Sequence, residues 1–236
     1  MTVTFRDLDG MSEFLAAEAM QTAVWGPGDK VDPADLMMVI AQEGGLAAGA
    51  FDGDKLLGYV FAFPTVTPGV QHSHRLAVLP EARNLGLGSR LKWYQRDWCL
   101  ARGIGHVRWT FDPLRRTNAI LNIARLGAEA STYLPDHYGA MEGINKGTAS
   151  DRLLADWHLD APAVAARAAG QRNGPTLDAP VVKRIAIPAD FSVLLDQDPV
   201  AARDARLRVR VAVQAAFAAS LVIRGFDPDT SSYLLT

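Results

Sequence analysis

Residues 46–91 constrain the fold more than any other stretch of the chain. LAAGAFDGDKLLGYVFAFP reads as two apolar strands around an Asp52-Gly53-Asp54 turn, a hairpin signature. VQHSHRLAVLP follows as a third strand, and SRLKWYQRDWCLARG is a helix closed by Gly103. Hairpins mixed with a crossover helix argue against a doubly wound parallel sheet. The class expected is α+β, with a mixed, mostly antiparallel sheet flanked by helices.

The surrounding pattern extends that reading. TVTFRDL alternates as a first strand, and SEFLAAEAMQTAVW is a helix with Ser12 as its cap and Gly26-Pro27-Gly28 as its stop. ADLMMVIAQEGG is a second helix. Downstream come the strand HVRWTFDP, the short helix NAILNIARLGA, and two strands, STYL and DRLLADWHL. Leu87, Leu91, Tyr94 and Trp98 recur at helical spacing as one buried stripe.

These elements place one domain at residues 1–160. The Ala-, Gly- and Pro-rich stretch 161–180 reads as a linker or loose arm. Residues 181–236 carry a strand, VVKRIAIP, a long helix opened by Asp198-Pro199, and a terminal SSYLL. A piece of that size is marginal for a core of its own, so it is expected to pack on the first domain or on a partner subunit. The 49% hydrophobic content suits a buried core, and the formal charge of −2, with signs mixed, points to no nucleic-acid or anionic-membrane partner. Cys99 is the single cysteine, which suits a reducing compartment. With no secretory signal at the start and no apolar run of membrane length, a cytoplasmic protein is expected.

Arg83-Asn84-Leu85-Gly86-Leu87-Gly88-Ser89 stands where a strand hands over to a helix. The first amides of a helix have no intrahelical partner and carry the positive end of its dipole. Glycines there leave those amides open to a phosphate. A P-loop would need a lysine between Gly88 and Ser89, and a dinucleotide fingerprint would need glycine where Leu91 stands. On local pattern alone the alternative is an ordinary glycine-eased turn.

The stretch Leu76-Ala77-Val78-Leu79-Pro80 followed by Arg83-x-x-Gly86-x-Gly88 resembles the acyl-CoA signature of the GNAT (GCN5-related) N-acyltransferase superfamily. The element order over roughly residues 3–160 is similar too. The resemblance implies a role for the Leu76, Ala77 and Val78 backbone in holding the pantetheine arm. It implies that Arg83, Asn84, Leu85, Gly86, Leu87, Gly88 and Ser89 hold the diphosphate of acetyl-CoA or another acyl-CoA, with no metal. Thr117-Asn118-Ala119 before Arg125-Leu126-Gly127-Ala128 resembles the family's later motif, in which the asparagine, here Asn118, contacts the coenzyme. Two departures stand out. Asn118 is nine residues before Gly127, a shorter interval than usual, and Ile123 fills the slot of the tyrosine that protonates the thiolate. Tyr133 and Tyr138 are the substitutes considered for that acid.

The period of two on a strand places His72, His74, Leu76 and Val78 on one face. An amine with a pKa near ~10 is neutral in about one molecule per thousand at pH 7, roughly 4 kcal/mol from its reactive form. Imidazole, titrating near ~6.5 when unperturbed, suits removal of that proton. His-x-His-x-Leu-Ala-Val resembles the corresponding strand of arylalkylamine N-acetyltransferases, whose two histidines are implicated in amine deprotonation. The bland reading is a pair of hydrogen-bonded strand histidines. Asp112, at a strand end before Pro113, is a candidate for the acceptor's ammonium or a routine turn residue. Asp151-Arg152 reads as a solvated pair. Arg203, Arg206 and Arg210 read as an exposed or dimer-facing helical stripe, with a substrate carboxylate as the alternative. Cys99, mid-helix with no histidine at motif distance, is a poor nucleophile.

The whole chain resembles a less-characterised bacterial branch of the superfamily, found beside amino-acid N-acylation and racemisation enzymes. That likeness implies a small amine or amino acid as acceptor, succinyl as well as acetyl as donor group, and a homodimer. It implies direct attack in a groove between the strands ending at Val78 and Asp112. The rival from another class is a non-catalytic CoA-binding module of the same fold; binding of a nucleotide instead of CoA is a third possibility.

Overall fold

The computed structural model describes residues 2–28, 30–139, 147–170, 177 and 179–236. The chain divides into two compact units, residues 1–107 and 108–236. No described helix is long and apolar enough to cross a membrane.

In the first unit, β1 (Val3–Asp7), β2 (Leu46–Asp52), β3 (Lys55–Pro64) and β4 (Val70–Val78) form an antiparallel meander. The β2–β3 turn falls at Gly53-Asp54, where Gly53 takes a positive φ of 59°. Helices α1 (Gly10–Trp25) and α2 (Ala34–Gln42) cover one face. There Phe14, Ala17, Met20 and Met37 pack on Phe51, Tyr59, Phe61 and Ala77. Helix α3 (Leu87–Leu100) covers the other, with Leu87 and Leu91 against Leu46, Ala48, Val60 and Ala62. Helix α1 starts earlier than expected. Asp9, not Ser12, is its N-cap residue, and Glu13 turns back to accept the Asp9 N–H at 2.8 Å.

The α3 stripe is only half apolar. Tyr94 and Trp98 are half-buried and donate to the Asp7 carboxylate, at 2.9 and 3.3 Å. Beside them runs a second, fully buried line, Lys92, Gln95 and Cys99. Lys92 Nζ donates to Gln95 Oε1 at 2.7 Å and to Ser73 Oγ of β4 at 3.0 Å. Gln95 Nε2 and Cys99 Sγ both donate to Gln71 Oε1, at 2.7 and 3.2 Å. Burial pulls the Lys92 ammonium down to about 7 and pushes the Cys99 thiol up to about 12.

The second unit holds a sheet in the order β5 (His106–Phe111, mostly within this unit), β7 (Arg152–His158), β6 (Glu129–Leu134), β9 (Ile223–Asp227), β10 (Ser232–Leu235), β8 (Lys183–Ala186). Helix α4 (Arg116–Ala119) runs on into a π-helical turn, Ile120–Arg125, whose widened register shows in the Leu126 N–H donating to the Leu121 carbonyl. Trp109 and Trp157 meet edge to face at its core. Within the stretch read as a linker, Pro162–Ala168 forms a helix, α5, with Val164 buried; residues 171–176 and 178 of that stretch lie outside the described residues. Helices α6 (Phe191–Gln197) and α7 (Pro199–Ala218) start at side-chain caps, Asp190 and Asp198. The C-terminal strands continue the sheet that β6 and β7 begin: β9 pairs with β6, and β10 lies between β9 and β8. Fifty-odd residues are marginal for a core of their own, and here they extend an existing sheet.

The buried Lys92 makes stability pH-dependent in a definite sense. Above about pH 7 the folded chain has shed this proton, whereas the unfolded chain keeps it to about 10.4, so stability rises with pH there. Between pH 7 and 8 the urea-unfolding free energy should rise by about 1 kcal/mol. In Lys92→Met that rise should vanish. The Cys99 thiol acts in the opposite sense only from about pH 8 upward, where the unfolded thiol begins to ionise.

Candidate active site

The strand-to-helix turn after β4 has the form expected of an anion cradle. Leu79 leaves the sheet with its N–H donated to the Leu57 carbonyl, and Pro80–Leu85 coils as a short 3-10 turn. Gly86 sits left-handed at φ 67°, and α3 opens on Leu87-Gly88-Ser89. A Cβ at Gly88 would lie in ordinary contact with the Leu76 and Val78 side chains, at 3.9 and 4.0 Å, whereas one at Gly86 would meet nothing within 4 Å. Ser89 Oγ donates to the Gly86 carbonyl at 2.9 Å and braces the turn. Arg83 and Asn84 are exposed beside it, as is Leu85.

The histidines depart from the expected geometry. Phe61 pairs with Arg75 but Ala62 pairs with Ser73, so His74 is an extra residue, a β-bulge in β4. The bulge reverses the alternation. Ser73, Leu76 and Val78 face α3, whereas His72, His74 and Arg75 face α1 and α2. The expectation that His72 and His74 share a face with Leu76 and Val78 is therefore corrected, because a single inserted residue flips every side chain beyond it.

Around His74 the α1–α2 connection supplies what sequence reasoning missed. His74 Nε2 lies 3.1 Å from Asp32 Oδ1, and Arg75 Nε donates to Asp32 Oδ2 at 3.0 Å. The Asp32 backbone is clamped by the buried Gln21, which accepts its N–H at 2.8 Å and donates to its carbonyl at 3.0 Å. Arg75 also donates to the Lys30 carbonyl and lies over the Trp25 ring. Burial pushes the Asp32 carboxyl up, but His74 and Arg75 outweigh it and hold it below the usual carboxylate range. With Nε2–H given to Asp32, Nδ1 is the ring atom of His74 able to take a proton, and 37% of the side chain is exposed. His72 stacks on Phe63 at 4.9 Å, and Phe61 meets His74 edge-on at 6.0 Å. In the sequence Asp32-Pro33 signals a helix cap; nothing in it points to a strand 42 residues on.

The second unit revises four assignments. Asp112, considered for a substrate ammonium, is buried and accepts from both Arg206 terminal nitrogens, at 3.2 and 2.9 Å, and from the Leu114 N–H at 2.9 Å. Two arginines of the stripe, Arg206 and Arg210, accordingly face inward, while Arg203 is exposed. Arg206 is 2% exposed, donates also to Thr148 and lies over Phe191, while Arg210 grips Asp151 at 2.9 and 2.6 Å. Asp151 and Arg152, read as solvated, are both buried. Tyr133 is buried too, and its hydroxyl donates to Asp151 at 2.6 Å; burial and that carboxylate push the phenol far above its ordinary range, which makes it a poor acid.

Tyr138 differs. It is 53% exposed, its hydroxyl lies 2.8 Å from Thr110 Oγ1, and the Arg152 guanidinium sits over its ring. Asn118 is half-buried on α4, one turn from the π-helical segment, and Ile123 is in the core. Removing one partner of a buried bidentate pair strands the other charge. Arg206→Ala should therefore cost about 3–5 kcal/mol in urea unfolding. Arg203→Ala, on the exposed side of the same helix, should stay within about 0.5 kcal/mol.

Residues 13–127 match the family model described as the acetyltransferase (GNAT) family. The fold is shared with the ribosomal-protein-S18-alanine N-acetyltransferase from Escherichia coli at 16% identity and a TM-score of 0.55, over 67% of this chain and 94% of that one. An N-acetyltransferase from Staphylococcus aureus Mu50 matches at 13% identity and a TM-score of 0.56, over 67% and 99%. A GNAT superfamily phosphinothricin acetyltransferase from Sinorhizobium meliloti, solved in complex with AcCoA, matches at 19% and 0.52, over 66% and 88%. No curated protein matches the chain in sequence.

Proposed function

We propose that this chain, which carries an acetyltransferase domain of the GNAT family, moves a short acyl group from coenzyme A to the amine of a small molecule by direct attack. The observation that carries this reading is the continuous run from a histidine-bearing strand through a left-handed Gly86 into the first turn of a helix. The residues present fit the coenzyme. Backbone N–H groups from Leu85 to Ser89, with Arg83 beside them, suit a diphosphate, and the Leu76–Val78 backbone suits the pantetheine amides.

His74, oriented by Asp32, takes the acceptor's proton directly or through a water. A backbone amide of the Leu76–Val78 region polarises the thioester carbonyl as the amine attacks and negative charge grows on its oxygen. The C–S bond then breaks, and a tyrosine or solvent protonates the thiolate. Tyr133 is set aside because its hydroxyl is committed to Asp151. The acceptor is a small amine, amino acids included, and acetyl and succinyl are the donor groups to compare. A non-catalytic coenzyme-binding module is the second reading, favoured by Ile123, whose burial leaves the usual tyrosine slot without an acid.

Thiol release from acetyl-CoA and succinyl-CoA, followed across a panel of amines and amino acids, separates the two. Turnover with at least one acceptor supports the transferase; thermal stabilisation by CoA with no thiol release supports the module. His74→Ala should lower kcat/KM at pH 7 by about 10²-fold or more and recover partly at pH 9 to 10, where the amine loses its proton unaided. A pH profile unchanged by the substitution removes His74 from the role. Gly88→Val should raise KM for acyl-CoA at least about tenfold by crowding the approach to the helix amides.

A further inference from the structure

The line of buried polar side chains on α3 has no part in the reaction just described, yet it grips the strand that carries the histidines. Lys92 Nζ reaches Ser73 Oγ at 3.0 Å, and Ser73 is the residue between His72 and His74. Gln95 shares the same Lys92 and reaches Gln71 at 2.7 Å, one residue before His72. Residues 71 and 73 are thereby held from the α3 face, immediately ahead of the bulge whose extra residue is His74. A bulge is a place where ladder pairing is interrupted and a strand is free to slip by one residue. Side-chain anchors on its near side decide where it sits. Apolar residues at positions 71 and 73 would satisfy the α3 face as well by packing alone, so a buried ammonium there, 2% exposed, calls for a reason.

We infer that Lys92 is a positioning residue for the histidine strand: through Ser73 it fixes the bulge at His74, and its charge, when present, is felt by that imidazole. This rests on the assignment of His74 as base. The titratable and charged groups around the pair are Cys99 on the Lys92 side and Asp32, Arg75 and His72 on the His74 side. β2 and β3 bring apolar side chains to the α3 face, among them Leu46, Ala48, Val60 and Ala62. Like charges disfavour each other by Coulomb repulsion. A permanent positive charge at position 92 disfavours a second one on His74, and removal of the charge favours it.

The sign of the effect gives the test. Lys92→Arg keeps a charge at all pH values, and Lys92→Met removes it; Lys92→Gln, which preserves a donor to Ser73, covers the case in which methionine or arginine is not accommodated. The midpoint of the His74 ring signal is followed by NMR in ¹³C-histidine-labelled protein, assigned with His74→Ala, beside the pH profile of kcat/KM. We expect the midpoint and the rising limb of the profile to move to lower pH in Lys92→Arg and to higher pH in Lys92→Met and Lys92→Gln, each by about half a unit or more. Lys92→Gln should keep KM for acyl-CoA within about twofold and retain more of kcat than Lys92→Met. Equal midpoints in all folded variants, or shifts of the same sign in Lys92→Arg and Lys92→Met, overturn the inference even if activity falls. Failure of the base assignment looks different: His74→Ala then leaves the profile intact while the NMR midpoints still respond to position 92.

Discussion

One interrupted pairing governs the first unit. β3 and β4 run in register until Phe61, and the extra residue at His74 then changes which side of β4 each side chain takes. Upstream of the bulge the strand shows histidines to α1 and α2 and short polar residues to α3. Downstream it shows Ala77 to the first face and Leu76 and Val78 to the second. Without the insertion a polar, half-exposed segment and an apolar segment could not share one strand and still meet the same two layers of helix. The alternation of an uninterrupted strand would drive either His74 or Leu76 into the wrong environment.

The second unit is organised by charge buried in pairs. Two arginines one helical turn apart on α7 each take a buried carboxylate, Arg206 with Asp112 and Arg210 with Asp151. Such pairs add little net stability over apolar packing, but they are strongly directional. Their effect is to lock the register of α7 against the ends of β5 and β7, and so to tie residues far apart in sequence into one sheet. The same pairs withdraw Asp112 and Tyr133 from chemistry. A buried carboxylate holding a bidentate guanidinium already has its charge matched, and a phenol donating to a carboxylate has little tendency to release its proton elsewhere.

The elements were largely legible in the sequence because their signals are local. The hairpin, the β4 strand, the Pro80 break and the glycine-opened helix all follow from backbone preferences within a few residues. Asp198-Pro199 announced its helix for the same reason. Where reading went astray, the deciding partner was distant. The arginine stripe on α7 has helical spacing whether it meets water, a second subunit or two aspartates. Asp32 carries no local sign of its partner, a histidine 42 residues away. The strand Ile223–Asp227, with a glycine inside it, is too short and broken to announce itself, and exists because β6 and β10 flank it.

Local chemistry in the chain was enough to specify an α+β order of elements and a turn of bare amides after an apolar strand, since glycine's tolerance of positive φ and proline's break act on neighbouring residues alone. Tertiary structure alone decided which polar groups remain available: the bulge that turns His74 toward Asp32, the burial that ties Tyr133 to Asp151, the guanidinium that occupies Asp112, and the lysine set beneath Ser73. The reason is the same in each case. A polar side chain's state depends on its desolvation and its hydrogen-bond partners, and both are set by segments that come near only when the chain has folded.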